Sequence, residues 1–162
     1  TSSCGRLFDA VGAVLGICGI NQYEGQAAVE LEARADQYER GSYGFTVQKN
    51  DDRWLLDVMP MWPELIADLE RYSSVGSIAQ KFHLTMVRMF ISALAEIRDE
   101  TGLNRVVLSG GVFHNQILLI NLIQGLTGQG FQVYHHQKVP PGDGGISLGQ
   151  AIIASEVVNK CV

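Results

Sequence analysis

The sequence predicts an α/β domain, and three observations carry that reading. Apolar residues recur at helical spacing through several segments before residue 101. The last third alternates short strand-like runs with helical ones. Gly-rich loops precede two of those later helices, where strand-turn-helix layering places ligand contacts.

Taken in order, Leu7, Phe8, Val11, Val14, Leu15 and Cys18 recur at steps of three and four from Gly5 onward, which predicts a helix with one buried stripe ending at residues 16–19. A second helix is expected over residues 25–38, with Ala27, Ala28, Leu31 and Ala35 as a narrow apolar seam opposite Glu30, Glu32, Arg34 and Asp36. Glu32 and Asp36 work there against any i, i+4 gain. Residues 43–48 and 53–58, rich in aromatic, β-branched and Leu side chains, flank the turn-forming Lys49-Asn50-Asp51-Asp52 and read as a β-hairpin. Pro60 and Pro63 open a short helix through Leu69. Ser74 caps the longest helix, to about residue 100, in which Ile78, Phe82, Met86, Met89, Phe90, Ala93, Leu94 and Ile97 hold an apolar face for about seven turns. Gly102 stops it. Then come a strand at Arg105–Leu108, a turn at Gly110-Gly111, a helix over about 113–126, a strand over 131–134, a loop over 139–145 and a final helix through about 158. No repeat or low-complexity segment interrupts the chain, so residues 1–162 read as a single domain.

Of the 162 residues 46% are apolar and 18% charged, with 18 Gly against 4 Pro, enough for a core and unlike disordered, collagenous or coiled-coil chains. Twelve Lys and Arg face 17 Asp and Glu, a net charge of −5, and no two basic residues are adjacent, which disfavours nucleic-acid and anionic-membrane partners. The longest apolar stretch, residues 10–20, is broken by Gly and far shorter than the roughly 20 residues that span a bilayer. Thr1-Ser2-Ser3 supplies no basic signal region, so a cytoplasmic location is expected. Cys4, Cys18 and Cys161 are odd in number and lack CxxC spacing, which reads as reduced structural thiols. The first residue is not Met and a helical pattern begins almost at once, so the chain reads as a piece of a longer protein in which an active site is incomplete.

Three constellations could carry chemistry. In Leu108-Ser109-Gly110-Gly111-Val112-Phe113-His114-Asn115 two glycines let backbone N–H groups approach a ligand, the helix start favours negative charge, and Asn115 can bond a hydroxyl or a base edge. A tight structural turn fits the same residues, because neither GxGxxG nor a GK[ST] ending is present. In Pro140-Pro141-Gly142-Asp143-Gly144-Gly145, Asp143 can be a helix N-cap, a metal ligand, or both, and the cap is the commoner use. In Ser3-Cys4-Gly5-Arg6-Leu7-Phe8-Asp9, Gly5 and Asp9 share a helix face, and the pattern by itself leaves Asp9 a solvated carboxylate. The four histidines form no metal spacing: His83 reads as packed or surface, and the adjacent His135 and His136 point to opposite faces of a strand. Ser109 lacks the GxSxG elbow of a hydrolase nucleophile.

These blocks, with Tyr23-Glu24-Gly25-Gln26-Ala27-Ala28, Phe82-His83 and residues 140–150, resemble in order the C-terminal part of the hydrogenase maturation carbamoyltransferase family, HypF. The resemblance implies the second lobe of a two-lobed nucleotide-binding fold similar to the universal tRNA threonylcarbamoyladenosine transferases and, more remotely, to the actin, sugar-kinase and Hsp70 (ASKHA) ATPases. The first lobe, with its HxxxH metal ligands, and the acylphosphatase-like, zinc-finger and adenylate-forming domains then lie outside this chain. The whole enzyme is expected to make carbamoyl-adenylate from carbamoyl phosphate and ATP. It then passes the carbamoyl group to the C-terminal cysteine of the partner HypE, on the way to the cyanide ligand of nickel-iron hydrogenase.

By the same resemblance Gly110, Gly111 and Asn115 match an element that lines the nucleotide, Gly5 and Asp9 match one that contacts ribose or nucleotide, and Asp143 matches the carboxylate that completes an iron or zinc site. Arg6 and Phe113-His114 depart from the tRNA-modifying relatives. The rivals are an O-carbamoyltransferase of natural-product biosynthesis and a non-catalytic partner-docking module. Little turnover is expected from these residues without the other lobe, together with an exposed apolar interface able to support dimerisation.

Overall fold

The computed structural model describes residues 3–51 and 53–160, with side chains through residue 157. The readings that involve Thr1, Ser2, Asp52 and Cys161 lie outside the described residues. The elements are α1 (Cys4–Val14), α2 (Gln26–Arg34), the hairpin β1 (Thr46–Asn50) and β2 (Arg53–Asp57), α3 (Met61–Glu70), α4 (Val75–Thr101), β3 (Arg105–Leu108), α5 (Gln116–Gly128), β4 (Gln132–His135) and α6 (Ile146–Lys160). Short 3₁₀ turns at Gly111–His114 and Asp143–Gly145 introduce α5 and α6.

The α/β expectation holds. The 27 residues of α4 make a rod of roughly 40 Å against which α2, α3, α5 and both hairpin strands pack. Its buried face runs through Ile78, Ala79, Phe82, His83, Met86, Val87, Met89 and Ala93; of the stripe expected from the sequence, Phe90, Leu94 and Ile97 are only half-buried. Both ends form as read: Ser74 Oγ accepts from Ser77 N (3.1 Å), and Gly102 closes the helix at φ 73°. On α5, Leu118, Leu122 and Leu126 recur every four residues and are fully buried against this rod.

Two separate two-stranded sheets form. β1 and β2 are antiparallel, with Thr46 opposite Asp57 and Asn50 opposite Arg53, and Asp51 takes a left-handed φ of 51° at the turn. β3 and β4 are parallel, Arg105 opposite Gln132 and Leu108 opposite His135, joined through α5 in one βαβ unit. Val106 and Leu108 face the core while Val107 and Tyr134 stay exposed, so one face of this parallel pair is uncovered. Ile146, Leu148, Ile152, Ile153 and Val157 of α6 are exposed as well, and the main contact of that helix is with the turn before it.

Three of the boundaries that move do so for reasons visible in the hydrogen bonding. α2 stops at Arg34 because Ala35 turns extended and Asp36 N donates to Gly76 O (3.0 Å), peeling the chain toward α4. β1 starts at Thr46 because Tyr43 N is taken by Thr85 Oγ1 (2.8 Å) and Gly44 N by Glu64 Oε2 (3.2 Å), which removes both from the ladder. α5 starts at Gln116 because Asn115 is its N-cap and residues 111–114 are spent in the 3₁₀ turn. Glu30 and Arg34 do form an i, i+4 ion pair at 3.8 Å, and Asp36, expected to oppose Glu32, lies beyond the end of the helix. No helix among the described residues is long and apolar enough to cross a membrane.

At Gly76 α4 comes close to the end of α2: a Cβ there would lie 2.7 Å from the Arg34 carbonyl oxygen. Gly76→Ala is therefore expected to destabilise the protein by about 1–3 kcal/mol in denaturant unfolding, reversing the gain of about 1 kcal/mol that alanine normally brings to a helix.

Candidate functional site

An open cleft of about 990 Å³ is bounded by the first turns of α1, the α1–α2 loop and α2, the 3₁₀ turn before α5, and the loop before α6. The three constellations of the sequence converge on it: Gly5 and Asp9 from the first, Gly111 and Asn115 from the second, Asp143 from the third. Gly110 does not line it, and its N–H donates to Pro141 O (2.8 Å). Its N–H is thus already engaged within the chain. At φ 110° and ψ 158° Gly110 occupies backbone space that side chains rarely enter, and its contribution is to turn the chain and tie the two Gly-rich loops together. The Gly111 and Val112 amides, at the open start of the 3₁₀ turn, make no backbone hydrogen bond among the described residues and are the donors that remain for a ligand.

The tie is close. A Cβ on Gly142 would stand 3.4 Å from Gly111 Cα and 3.3 Å from His114 Nε2, so the bare backbone there lets the loops touch. Asp143 is exposed on the cleft wall; its carboxylate caps no amide and makes no ion pair among the described residues. Of its two readings, the helix cap is not adopted. No group of three or more His, Cys, Asp or Glu among the described residues is placed to hold a metal, and Asp143 offers a single hard oxygen donor.

Asp9 is half-buried and oriented rather than freely solvated: Asn21 Nδ2 donates to its Oδ1 (2.9 Å), and the buried Cys18 thiol donates to Asn21 Oδ1 (3.1 Å). Cys4 also lines the cleft, but burial pushes its thiol up to about 11, so it stays protonated and unreactive at neutral pH.

Asn115 is the most constrained member. Its Oδ1 accepts from Leu118 N (3.0 Å), capping α5, and its Nδ2 lies 2.9 Å from His83 Nε2. His83 is fully buried, with its Nδ1 2.7 Å from Ala79 O. A carbonyl can only accept, so Nδ1 carries the proton and Nε2 accepts from Asn115. Desolvation lowers the imidazole to about 4, against a weaker opposing effect of the Ala79 bond, and the ring is neutral. Edge-on contacts to Phe8 (5.3 Å) and Phe82 (5.8 Å) enclose it.

Two features escape sequence reasoning. Glu32, read as part of a solvated helix face, reaches across 84 residues of sequence to accept from Gln116 N (2.6 Å) and Ile117 N (3.2 Å). The α5 N-terminus is thus already held by this chain's own carboxylate, where the sequence suggested room for a ligand's charge. Ser109 Oγ and His136 Nε2 meet at 3.0 Å across the β3–β4 ends. No local pattern signals either pair.

Residues 1–150 match the family model described as carbamoyltransferase, Kae1-like domain, second subdomain. The chain is similar to carbamoyltransferase HypF of Synechocystis sp., 33% identical over 157 residues that cover 94% of this chain and 19% of that protein. It is similar also to carbamoyltransferase HypF of Rhizobium leguminosarum bv. viciae, 34% identical over 161 residues, 98% of this chain and 20% of that protein. Among solved structures, full-length HypF in the phosphate- and nucleotide-bound form matches with a TM-score of 0.90 at 43% identity, covering 97% of this chain and 21% of that one. The chain therefore spans about a fifth of the length of these relatives.

Glu32→Ala leaves the Gln116 and Ile117 amides without their acceptor, and a loss of about 1–2 kcal/mol in unfolding free energy is expected, with faster hydrogen exchange at those two amides. His83 gives a pH signature. Its folded value of about 4 lies below the ordinary 6.5, so below 6.5 the unfolded chain binds a proton that the folded chain refuses. This contribution is full above 6.5 and is lost as pH falls toward 4, by about 3 kcal/mol. Unfolding measured across that range in wild type and His83→Gln, with the two curves subtracted, should isolate it from the carboxylates.

Proposed function

The chain belongs to the carbamoyltransferase HypF family, and on that premise we propose that residues 1–162 are one domain, the second lobe of a two-lobed nucleotide-binding fold of the actin, sugar-kinase and Hsp70 (ASKHA) type. The lobe forms one wall of a cleft that holds carbamoyl-adenylate, made by the whole cytoplasmic enzyme from carbamoyl phosphate and ATP. The carbamoyl acceptor is the C-terminal cysteine thiolate of HypE, and the product leads to the cyanide ligand of nickel-iron hydrogenase.

The observation that carries this reading is the convergence of Gly5, Asp9, Gly111, Asn115 and Asp143 on one cleft from three separate stretches of chain. A relative 43% identical is described in a phosphate- and nucleotide-bound form, which supports the ligand class. In this assignment the Gly111 and Val112 amides donate to phosphate oxygens, as preorganised donors in a cleft that closes. Asp9, held by Asn21, accepts from a nucleoside hydroxyl; Gly5 leaves room beside it; Asn115 offers its remaining N–H and lone pair. Asp143 is the carboxylate ligand of a divalent iron or zinc ion whose other ligands come from the first lobe. Bound there, the ion supplies Lewis-acid polarisation of a carbonyl. The exposed apolar residues of α6 and the bare face of β3–β4 are the surfaces the remainder of the enzyme covers, and turnover requires that closure.

Asp143→Ala in the full-length enzyme is expected to lower bound iron or zinc by about one equivalent in elemental analysis, with the zinc of the zinc-finger domain retained. It should also abolish transfer of labelled carbamoyl to the HypE thiol, while ATP-dependent adenylate formation continues. Transfer at the wild-type rate would overturn the assignment, and transfer to small alcohols in place of the protein thiol would point to O-carbamoylation.

A further inference from the structure

We propose that His83, which lies behind the cleft and touches no ligand, is the positioning residue that fixes which way round the Asn115 amide faces that cleft. The inference rests on the preceding assignment of Asn115 to the nucleotide and goes beyond it.

An asparagine amide is nearly symmetric in shape, so its orientation is set by what its two ends meet. Here both ends are determined. Ala79 O takes the Nδ1 proton of His83, which leaves Nε2 as an acceptor 2.9 Å from the Asn115 amide nitrogen. The other end, Oδ1, receives Leu118 N at 3.0 Å. Turning the amide round would set an oxygen lone pair against the Nε2 lone pair and an NH₂ group against the Leu118 N–H, two repulsions in a site where Asn115 is 5% exposed and His83 0%. The amide is therefore locked. Its second N–H and second lone pair, the only ones left, have fixed directions, which is what discrimination of a nucleoside by hydrogen bonding requires.

The same ring also supports the opposite wall. Phe8 of α1, next to Asp9, packs edge-on against His83 at 5.3 Å and against Phe82 at 4.8 Å. One imidazole thus backs both α1, which carries Gly5 and Asp9, and the start of α5, which carries Asn115. An apolar side chain of similar volume could fill the space but could not choose the amide's orientation.

The test uses the full-length enzyme and ATP as the probe; because the adenylate-forming domain uses ATP as well, affinity is read at this cleft alone, as ATP-dependent protection of the peptide carrying the Gly111 and Val112 amides in hydrogen-exchange mass spectrometry. Asn115→Ala is expected to weaken ATP binding about 10- to 100-fold, as loss of one or two buried hydrogen bonds does. His83→Met should weaken it to a similar degree, and the double variant should bind no worse than Asn115→Ala, because both changes remove one function. His83→Gln, whose Oε1 can stand where Nε2 accepts, should recover affinity to within about threefold, which a purely space-filling role does not predict. If His83→Met binds ATP as wild type does while Asn115→Ala does not, the proposal falls and the nucleotide assignment stands. If Asn115→Ala itself binds normally, the assignment falls and takes the proposal with it. Should His83→Met fail to fold, ¹⁵N-histidine NMR of the wild-type enzyme decides: the Nδ1–H tautomer supports the lock, and the Nε2–H tautomer overturns it.

Discussion

The cleft depends on a constraint imposed from behind it: the fully buried imidazole of His83 has one acceptor to give, and Asn115 is the residue that takes it. Through that bond the long helix α4, which forms the centre of the core, sets where α5 begins. Because Asn115 is also the N-cap of α5, the start of the helix, the end of the 3₁₀ turn and the level of the Gly111 and Val112 amides follow from a single side chain. Glu32 fastens the same point from the other side by holding the next two amides of α5. The helix is therefore pinned at its first turn by α4 and α2 together, and its buried leucines have only to complete the packing.

The charges around the cleft bear on what it can hold. Asp9, Glu24, Glu32 and Asp143 line it, against one guanidinium, that of Arg6. An anionic ligand entering such a wall meets net repulsion unless cations or oriented dipoles accompany it. Glu32 is spent on the α5 amides and Asp9 on Asn21, which leaves Asp143 and Glu24 as the carboxylates with no hydrogen-bond partner among the described residues. A metal at Asp143, as proposed, would offset part of that charge, and the free amides of residues 111 and 112 would offset more. The charge balance thus supports the proposal that a triphosphate or an acyl-adenylate binds together with a cation and against the first lobe, which would supply further positive groups.

Much of this architecture is legible in the sequence because it is governed by local rules. The α4 stripe, its Ser74 and Gly102 ends, the β3 strand and both Gly-rich loops announce themselves through periodicity, capping and turn chemistry. Two of the displaced boundaries share one cause: Asp36 at the end of α2, and Tyr43 and Gly44 before β1, each give a backbone amide to a partner far along the chain, and no window of neighbouring residues contains that information. The same holds for the site. The glycines and Asp143 stand out by composition, whereas the roles of Glu32, His83 and Asn21 exist only once α1, α2, α4 and α5 are brought together. Asp9 shows the limit from the other direction. Its pattern is that of a surface carboxylate, and only the resemblance of its block to a family of enzymes places it at the cleft.

What remains exposed is as informative as what is buried. A parallel strand pair is stable when both faces are covered, and a helix that is apolar around its circumference belongs inside a larger assembly. β3–β4 has Val107 and Tyr134 open to solvent at 69% and 54%, and α6 shows five large apolar side chains on several sides. Both features follow directly after the two Gly-rich loops in sequence or precede them by a few residues, so the unsatisfied surfaces adjoin the ligand-binding edge of the fold. Burial of those surfaces by the rest of the enzyme would fix the position of Asp143, whose loop leads into α6, relative to whatever the other lobe brings. In that arrangement, on the function proposed, closing the cleft and completing a metal site would be one event, driven by apolar area that this lobe leaves exposed.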